Sequence, residues 1–366
     1  MASGSEGVLT LSVGVRVSPE PEAIGLLVRY RSALNYSIRV IIENKALSLG
    51  RAHRLLYSTL KERFGLPSKI AQDCYREALA IAKSWLRNPR RGRVPRVKTL
   101  RMWLTHGIGY RIRDGYVEII GGYRLMIIGW DKRYDYYENG EARLVYRNGG
   151  LYLIVSKKVP KPPKYNPRGV LAVDINERHV VVGNSSFERG FETAVERALH
   201  YRRLAELLQK KYSSPRYNAW LRRRGVRERI RYFYRKARSV VEDWAKKTSY
   251  KITVLAKRYH CVIAREDLTG LVEGLKKLPK NHKVGLIILS YRKLGFWIDW
   301  QAEKHGAPVV VVKPRGTSNT CPKCGGKLKE NGYRRLKCPV CGFENDRDII
   351  AVLNIERRAL LKMGDL

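Results

Sequence analysis

Apolar residues at every second position, Leu9, Leu11, Val13, Val15 and Val17, alternate with small or polar ones and predict a half-buried strand near the start of the chain. After Ser18-Pro19-Glu20 the spacing changes. From 22 to 86 it is helical: Ile24, Leu27, Val28 and Leu34 share a face, then Leu55, Leu56 and Leu60, then Ile70, Cys74, Leu79, Ala82 and Leu86. Gly65-Leu66-Pro67-Ser68 reads as a break and cap between helices. A basic loop from 88 to 96 closes this region, and period two returns from 97 to 159. Strands are predicted at 115–120, 125–128, 142–146 and 151–155, with turns at Asp114-Gly115, Gly121-Gly122, Asn139-Gly140 and Asn148-Gly149-Gly150. The first strand can complete this β unit, so residues 1–17 and 97–166 form one β domain and 18–96 a helical insertion. Pro160, Pro162, Pro163 and Pro167 make a stiff linker that puts a boundary near residue 166.

The second half reads as α/β. An apolar run, Gly169-Val-Leu-Ala-Val-Asp174, predicts a buried strand that ends in an acid, followed by a strand at 179–183. A long helical stretch from 193 to 259 is interrupted at Ser213-Ser214-Pro215 and Gly225. Cys261-Val-Ile-Ala-Arg-Glu266 is a second strand ending in an acid; a helix at 286–305, a strand at 308–312 and a final helix at 348–361 follow. In an open sheet the ends of neighbouring strands meet at one edge, where the start of a helix can join them. Asp174, Glu266 and Asp348 therefore converge. Three carboxylates in one place repel unless divalent cations neutralise them. Two Mg2+ ions about 4 Å apart, with Mn2+ as a substitute, would activate water for in-line attack on a phosphodiester. Asp267 competes with Glu266, which continues its strand directly. Asp346 and Asp348 lie about 200° apart on a helix, so only one can face the site; Asp346 reads as an N-cap and Asp348 as the ligand.

Between the last strand and the last helix stand Cys321-Pro-Lys-Cys324 and Cys338-Pro-Val-Cys341, two C-x-x-C pairs that can hold one Zn2+ tetrahedrally, with Gly325, Gly326, Gly332 and Gly342 for the tight turns. Four thiolates fill the coordination sphere, so this zinc is structural. The other cysteines, Cys74 and Cys261, lie in apolar contexts; reduced thiols, together with an N-terminus unlike a secretory signal, predict a cytoplasmic address.

Charge changes the picture further. The 366 residues hold 73 Lys and Arg against 33 Asp and Glu, a formal net charge of +40. Such a chain should bind a polyanion. A membrane is excluded, because no apolar run reaches about eighteen residues and no amphipathic stretch of suitable length stands out. Candidate nucleic-acid contacts are Arg90, Arg91, Arg93 and Arg96 in the basic loop and Arg222, Arg223, Arg224, Arg227 and Arg231 between the first two acids. Tyr232, Phe233 and Tyr234 interleave with the second group and read as core residues, with base stacking as the alternative. The histidines show no metal spacing and receive no role.

These motifs carry a resemblance. Gly169-Val-Leu-Ala-Val-Asp174-Ile-Asn176, Arg265-Glu266-Asp267-Leu268, Gly316-Thr-Ser318-Asn-Thr-Cys321-Pro-Lys-Cys324-Gly, Cys338-Pro-Val-Cys341-Gly and Asp346-Arg-Asp348 resemble the TnpB (OrfB) proteins of insertion sequences, relatives of the type V CRISPR effector nucleases. The resemblance is specific over residues 167–366, and before that only the order of elements agrees. It implies a multidomain α+β fold: an N-terminal, wedge-like β-barrel with a helical insertion, then a RuvC-type, ribonuclease-H-like nuclease domain (167–313 and 345–366) holding a zinc-ribbon insertion (314–344). It also implies an RNA-guided DNA endonuclease of a transposable element, whose guide RNA pairs with target double-stranded DNA and whose catalytic residues are Asp174, Glu266 and Asp348. One position departs from the family pattern, Ile350 where members carry Asn. The alternatives are a cleavage-deficient nucleic-acid-binding regulator or transposition accessory protein, which loss of an acid would mark, and a strand-joining transposase, whose triad typically ends in Glu.

Overall fold

Strand β1 (Val8–Val17) buries Leu9, Leu11, Val13, Val15 and Val17 and exposes the residues between them. It belongs to a computed structural model that describes residues 7–221, 224–277 and 282–364. The chain divides into two compact units, 1–160 and 161–366. In the first, helices α1 (Pro21–Glu43), α2 (Leu49–Glu62) and α3 (Ser68–Arg87) separate β1 from strands β2 (Leu100–Leu104), β3 (Tyr110–Arg113), β4 (Tyr116–Ile119), β5 (Tyr123–Gly129), β6 (Asn139–Arg147) and β7 (Gly150–Pro160). The strand order is β2-β6-β7-β1-β5-β4-β3, and the sheet curls into a nearly closed barrel. β1 runs antiparallel to the whole of β7 and touches β5 at Arg16 and Val17. Leu26, Tyr30, Leu34 and Ile38 of α1, Leu56 and Leu60 of α2 and Ile70 of α3 share one core with Met102, Leu104, Leu144 and Leu153 of the sheet.

Two buried acids tie the helices to the strands. Asp73 accepts from Lys69 Nζ (2.8 Å) and from both the N–H and the hydroxyl of Thr105, and Glu77 accepts from Tyr30 and pairs with Arg101. Strands β2 and β3 escape the sequence reading because they are only five and four residues long. Asn139-Gly140, read as a turn, instead starts β6 beside a register shift, where a Cβ on Gly140 would meet Ser156 Oγ at 2.7 Å. The turns at Asp114-Gly115 and Asn148-Gly149 are present, both residues of each having positive φ, the signature of a type I′ hairpin.

The second unit is built on β8 (Gly169–Ile175), β9 (His179–Gly183), β10 (Glu188–Glu192), β11 (Cys261–Glu266) and β12 (Val309–Val312), in the order β10-β9-β8-β11-β12. β8, β9 and β10 form an antiparallel meander, while β8, β11 and β12 are parallel. Helices α4 (Val195–Ser213), α5 (Asn218–Leu221) and α6 (Arg224–Arg258) connect β10 to β11, and α7 (Thr269–Lys277) and α8 (His282–His305) connect β11 to β12. Gly225 lies inside the first turn of α6, where a solvent-exposed glycine costs only about 1 kcal/mol. A small antiparallel sheet of β13 (Lys329–Glu330), β14 (Arg335–Lys337) and β15 (Glu344–Asp346) leads without a gap into α9 (Arg347–Gly364). No described helix is long and apolar enough to cross a membrane.

Both faces of the central strands are covered, which is why their sequences are apolar throughout. Leu171, Val173, Ile175 and Ile263 pack under α4, α6 and α8. Val170, Ala172, Val262 and Ala264 face the other way, against Val352, Ile355 and Ala359 of α9. Strand alternation therefore fixes where the next residues point.

Candidate active site and zinc ribbon

Asp174 and Glu266 continue the even-numbered series of β8 and β11, so both emerge on the face covered by α9. Register puts them level: Val173 pairs with Arg265, one residue before each acid. Asp348 stands in the first turn of α9 on that same side. The side-chain amide of Asn176 joins two of the three, donating to Asp174 Oδ2 (2.6 Å) and Asp348 Oδ1 (3.2 Å). Arg265 and Asp267 point to the opposite face. Arg265 makes a two-pronged pair with Asp299 of α8, and the exposed Asp267 accepts from the Thr269 N–H in a local turn. Asp346 caps α9, accepting from the N–H of Asp348 (2.8 Å), as its position before the helix predicts.

The electrostatics of the acids are dominated by burial. Asp174 is 6% exposed, and burial, reinforced by the charges of Glu266 and Asp348, pushes its carboxyl up to about 7. Burial also raises Glu266, opposed by a hydrogen bond from Thr317 and by the charge of Arg358. Asp348 is raised by burial against the pull of Arg334, which donates to Asp348 Oδ2, and of His179. The phenol of Tyr291 on α8 is driven to about 12 by burial, with Glu177, Asp174 and Glu266 adding negative charge around it. A cleft beside the acids is lined by Asn176, Glu177, Arg178, His179, Tyr333, Arg334, Arg347 and Asp348. Carboxylates gathered at one end of the sheet, with Asp174 raised by burial and by its acidic neighbours, suit divalent cations, and the donors, all carboxylate oxygens, suit magnesium or manganese.

Among the described residues, the one group of three or more potential ligand atoms within 4.8 Å of one another is Cys321, Cys324, Cys338 and Cys341. Their sulfurs lie 3.6 Å (Cys321–Cys341) and 3.4 Å (Cys324–Cys338) apart. Zn–S bonds of 2.3 Å in a tetrahedron separate sulfurs by about 3.8 Å, so the four fit a zinc ion. Each pair sits in a knuckle closed by a glycine of positive φ, with Gly325 N–H bonded to Cys321 O and Gly342 N–H to Cys338 O. Cys321 and Cys338 are buried with Leu328, Leu336 and Ile350 in a small apolar cluster. Ile350, the position that departs from the family pattern, therefore packs α9 against the ribbon.

The basic residues are more dispersed. Arg90, Arg91, Arg93 and Arg96 are all exposed on the connection between α3 and β2. Arg227 and Arg231 are exposed on α6 and Arg224 begins it, whereas Arg222 and Arg223 lie outside the described residues. Tyr232, Phe233 and Tyr234, read as core, are not buried. Tyr232 is 46% exposed, Arg229 lies over Phe233, and Arg202 lies over Tyr234. Three consecutive helical residues point in directions about 100° apart, so they cannot share one buried face; Phe233 stacks on Tyr201 and Tyr234 bonds Gln209 of α4, while Tyr232 points outward. Sequence reasoning also missed Thr317, Arg334, Tyr291 and His179 as neighbours of the acids. Asn176 and Thr317 stand within quoted motifs, but Arg334, Tyr291 and His179 carry no signal that could have found them.

Comparison with known proteins first defines the class. A family model described as Cas12f1-like, TNB domain, matches residues 291–355, from α8 across the ribbon into α9. In fold the chain is similar to the protein of a Cas12f1-sgRNA-target DNA complex, with a TM-score of 0.55 at 14% identity over 92% of this chain and 82% of that one. It is 30% identical over 246 residues to a TnpB-like protein of Methanocaldococcus jannaschii, covering 64% of this chain and 85% of the relative. It is also 30% identical over 135 residues to the CRISPR-associated endodeoxyribonuclease Cas12f2 of a Micrarchaeota archaeon, covering 34% of this chain and 25% of that protein. The chain belongs to the TnpB-like family, as its motifs implied.

Proposed function

We propose that this protein is an RNA-guided DNA endonuclease of a transposable element, and that Asp174, Glu266 and Asp348 hold the divalent cations of a RuvC-like phosphodiester hydrolase. The observation that carries the reading is the meeting of the acids at one end of the sheet, where the buried Asp174 is raised by the charges of both Glu266 and Asp348. A meander followed by two parallel strands, crossed by α9 on the face of the acids, is the arrangement expected of a ribonuclease-H-like core at 167–313 and 345–366. β1 and the strands from β2 to β7 form the wedge-like domain, α1 to α3 the helical insertion, and 314–344 the zinc ribbon.

Bound at the acids, Mg2+ or Mn2+ would supply Lewis acidity, activating the attacking water and stabilising the leaving oxygen. The protein's own residues prepare that site. Asn176 holds Asp174 and Asp348 in a fixed relation, and Arg334 places a cationic group beside Asp348, where the charge of a phosphate must be accommodated. The four cysteines hold a structural zinc whose ribbon runs straight into α9 and so sets the start of the helix that carries Asp348. Guide RNA and target duplex are the partners that the net charge of +40 and the likeness to a guide-bound relative support. Loss of an acid would mark a cleavage-deficient regulator; all three acids are present, and Ile350, where family members carry Asn, packs against the ribbon.

The test is to purify the protein with its co-expressed RNA and assay target plasmid in Mg2+ or EDTA. Wild type should cut in Mg2+ alone, and Asp174→Ala and Glu266→Ala should bind without cutting. Guide-dependent binding by wild type without cleavage would favour the regulator, and cleavage by Asp174→Ala would remove the site assignment.

A further inference from the structure

Helix α9 reaches a second acid through a loop. Asn354, buried and one turn and a half beyond Asp348, donates its amide to the carbonyl oxygens of Thr317 and Thr320, both at 2.8 Å. One turn later on the same face Arg358 donates to the carbonyls of Lys313 and Arg315. These bonds clamp the segment 313–320 to the helix. The segment's buried Thr317 hydroxyl stands 2.5 Å from Glu266 Oε1. The hydroxyl also lies near the Pro314 carbonyl, but it has one proton and an ionised carboxylate is the stronger acceptor. The Thr317 N–H already serves Pro314 at 3.3 Å. The far end of the segment is held by the ribbon, through the Leu328 N–H on Asn319 O and the Cys321 N–H on Gly326 O.

Resting on the reading of the acids as a metal site, we infer that Thr317 and Asn354 are positioning residues for Glu266. Asn354 fixes the loop, the Thr317 hydroxyl fixes the carboxylate, and α9 thereby sets two of the three acids, Asp348 directly and Glu266 through the clamp. The zinc ribbon anchors the same loop, so its folding and the geometry of the acid site are linked. Partners that orient a metal ligand in this way typically contribute 10- to 100-fold in metal affinity or activity.

The experiment titrates Mn2+ into the full-length protein without nucleic acid, following the free ion by electron paramagnetic resonance, with zinc content and Tm measured on every variant. Wild type should bind, Asp174→Ala should not, and Thr317→Val should bind about 10- to 100-fold more weakly at unchanged zinc content and Tm. Thr317→Ser, which restores the hydroxyl, should return affinity to near the wild-type value. Asn354→Leu should weaken binding in the same direction. Wild-type affinity in Thr317→Val, or failure of Thr317→Ser to rescue, would overturn the inference while leaving the acid site standing. Equal Mn2+ binding by wild type and Asp174→Ala would bring down the acid site and the inference together.

Discussion

Replacing Asp174 by Asn should stabilise the metal-free protein while abolishing its cleavage. The Asp174 carboxyl has an ordinary value of 3.8 and stands at about 7 in the folded state, burial being the main cause. Between those values the folded protein binds a proton that the unfolded chain releases, so stability falls as pH rises from about 4 to about 7 and stays low above. At about 1.4 kcal/mol for each pH unit, the loss is about 4 kcal/mol, a large fraction of the 5–15 kcal/mol typical of a domain. Asn removes the charge and keeps an oxygen to accept from Asn176. In EDTA at pH 8 the variant should therefore be about 4 kcal/mol more stable in guanidinium unfolding followed by tryptophan fluorescence, with Trp244 and Trp297 reporting on this unit. The advantage should shrink towards zero near pH 4 and narrow at pH 8 when Mn2+ is added, because the ion stabilises wild type more. A variant less stable than wild type in EDTA at pH 8, or an advantage independent of pH, would show that the Asp174 charge is compensated and refute the reasoning.

Three further outcomes follow from the same geometry. Ile350→Asn, which restores the residue common in the family, exchanges a fully buried side chain for an amide in an apolar cluster; it should cost about 3 to 5 kcal/mol and weaken zinc retention, read by denaturation and metal analysis. Cys321→Ser with Cys338→Ser should lose about one equivalent of zinc, and α9 should exchange amide hydrogens faster at its first turns, measured by mass spectrometry. Arg227→Ala with Arg231→Ala on the exposed face of α6 should lower the slope of log affinity against log salt by about 2, in binding to the RNA or to duplex of any sequence.

Much of the fold was legible because its signals are local. The alternation from Leu9 to Val17, the apolar runs before Asp174 and Glu266, and the paired cysteines each rest on a few consecutive residues whose spacing matches one geometry. The misses have the opposite character. β2 and β3 alternate apolar residues with Arg101, Arg111 and Arg113, but over only five and four residues, too few for the period to stand out from its surroundings. Asn139-Gly140 has turn composition, yet the neighbouring strand holds it extended. The aromatic trio on α6 is consecutive, so its members point about 100° apart; Phe233 and Tyr234 lie against α4 and Tyr232 is exposed. At the site, the choice of Glu266 over Asp267 followed from strand continuity, and the structure supplies the reason in alternation: even-numbered residues of β11 face α9.

By itself the sequence determined which segments could become strands, helices or a metal knuckle, that three acids ended or began such segments, and that the chain's charge demanded a polyanion. Those properties depend on neighbours within a turn or a strand, so they are written in short stretches. Tertiary structure decided what stands around the acids. Thr317 meets Glu266 across 51 residues and Asn176 meets Asp348 across 172, contacts that no local spacing encodes. It also decided the protonation of Asp174, because desolvation depends on how completely the folded chain surrounds a group, and it turned Ile350 from an apparent loss in a motif into the packing between a helix and a zinc ribbon.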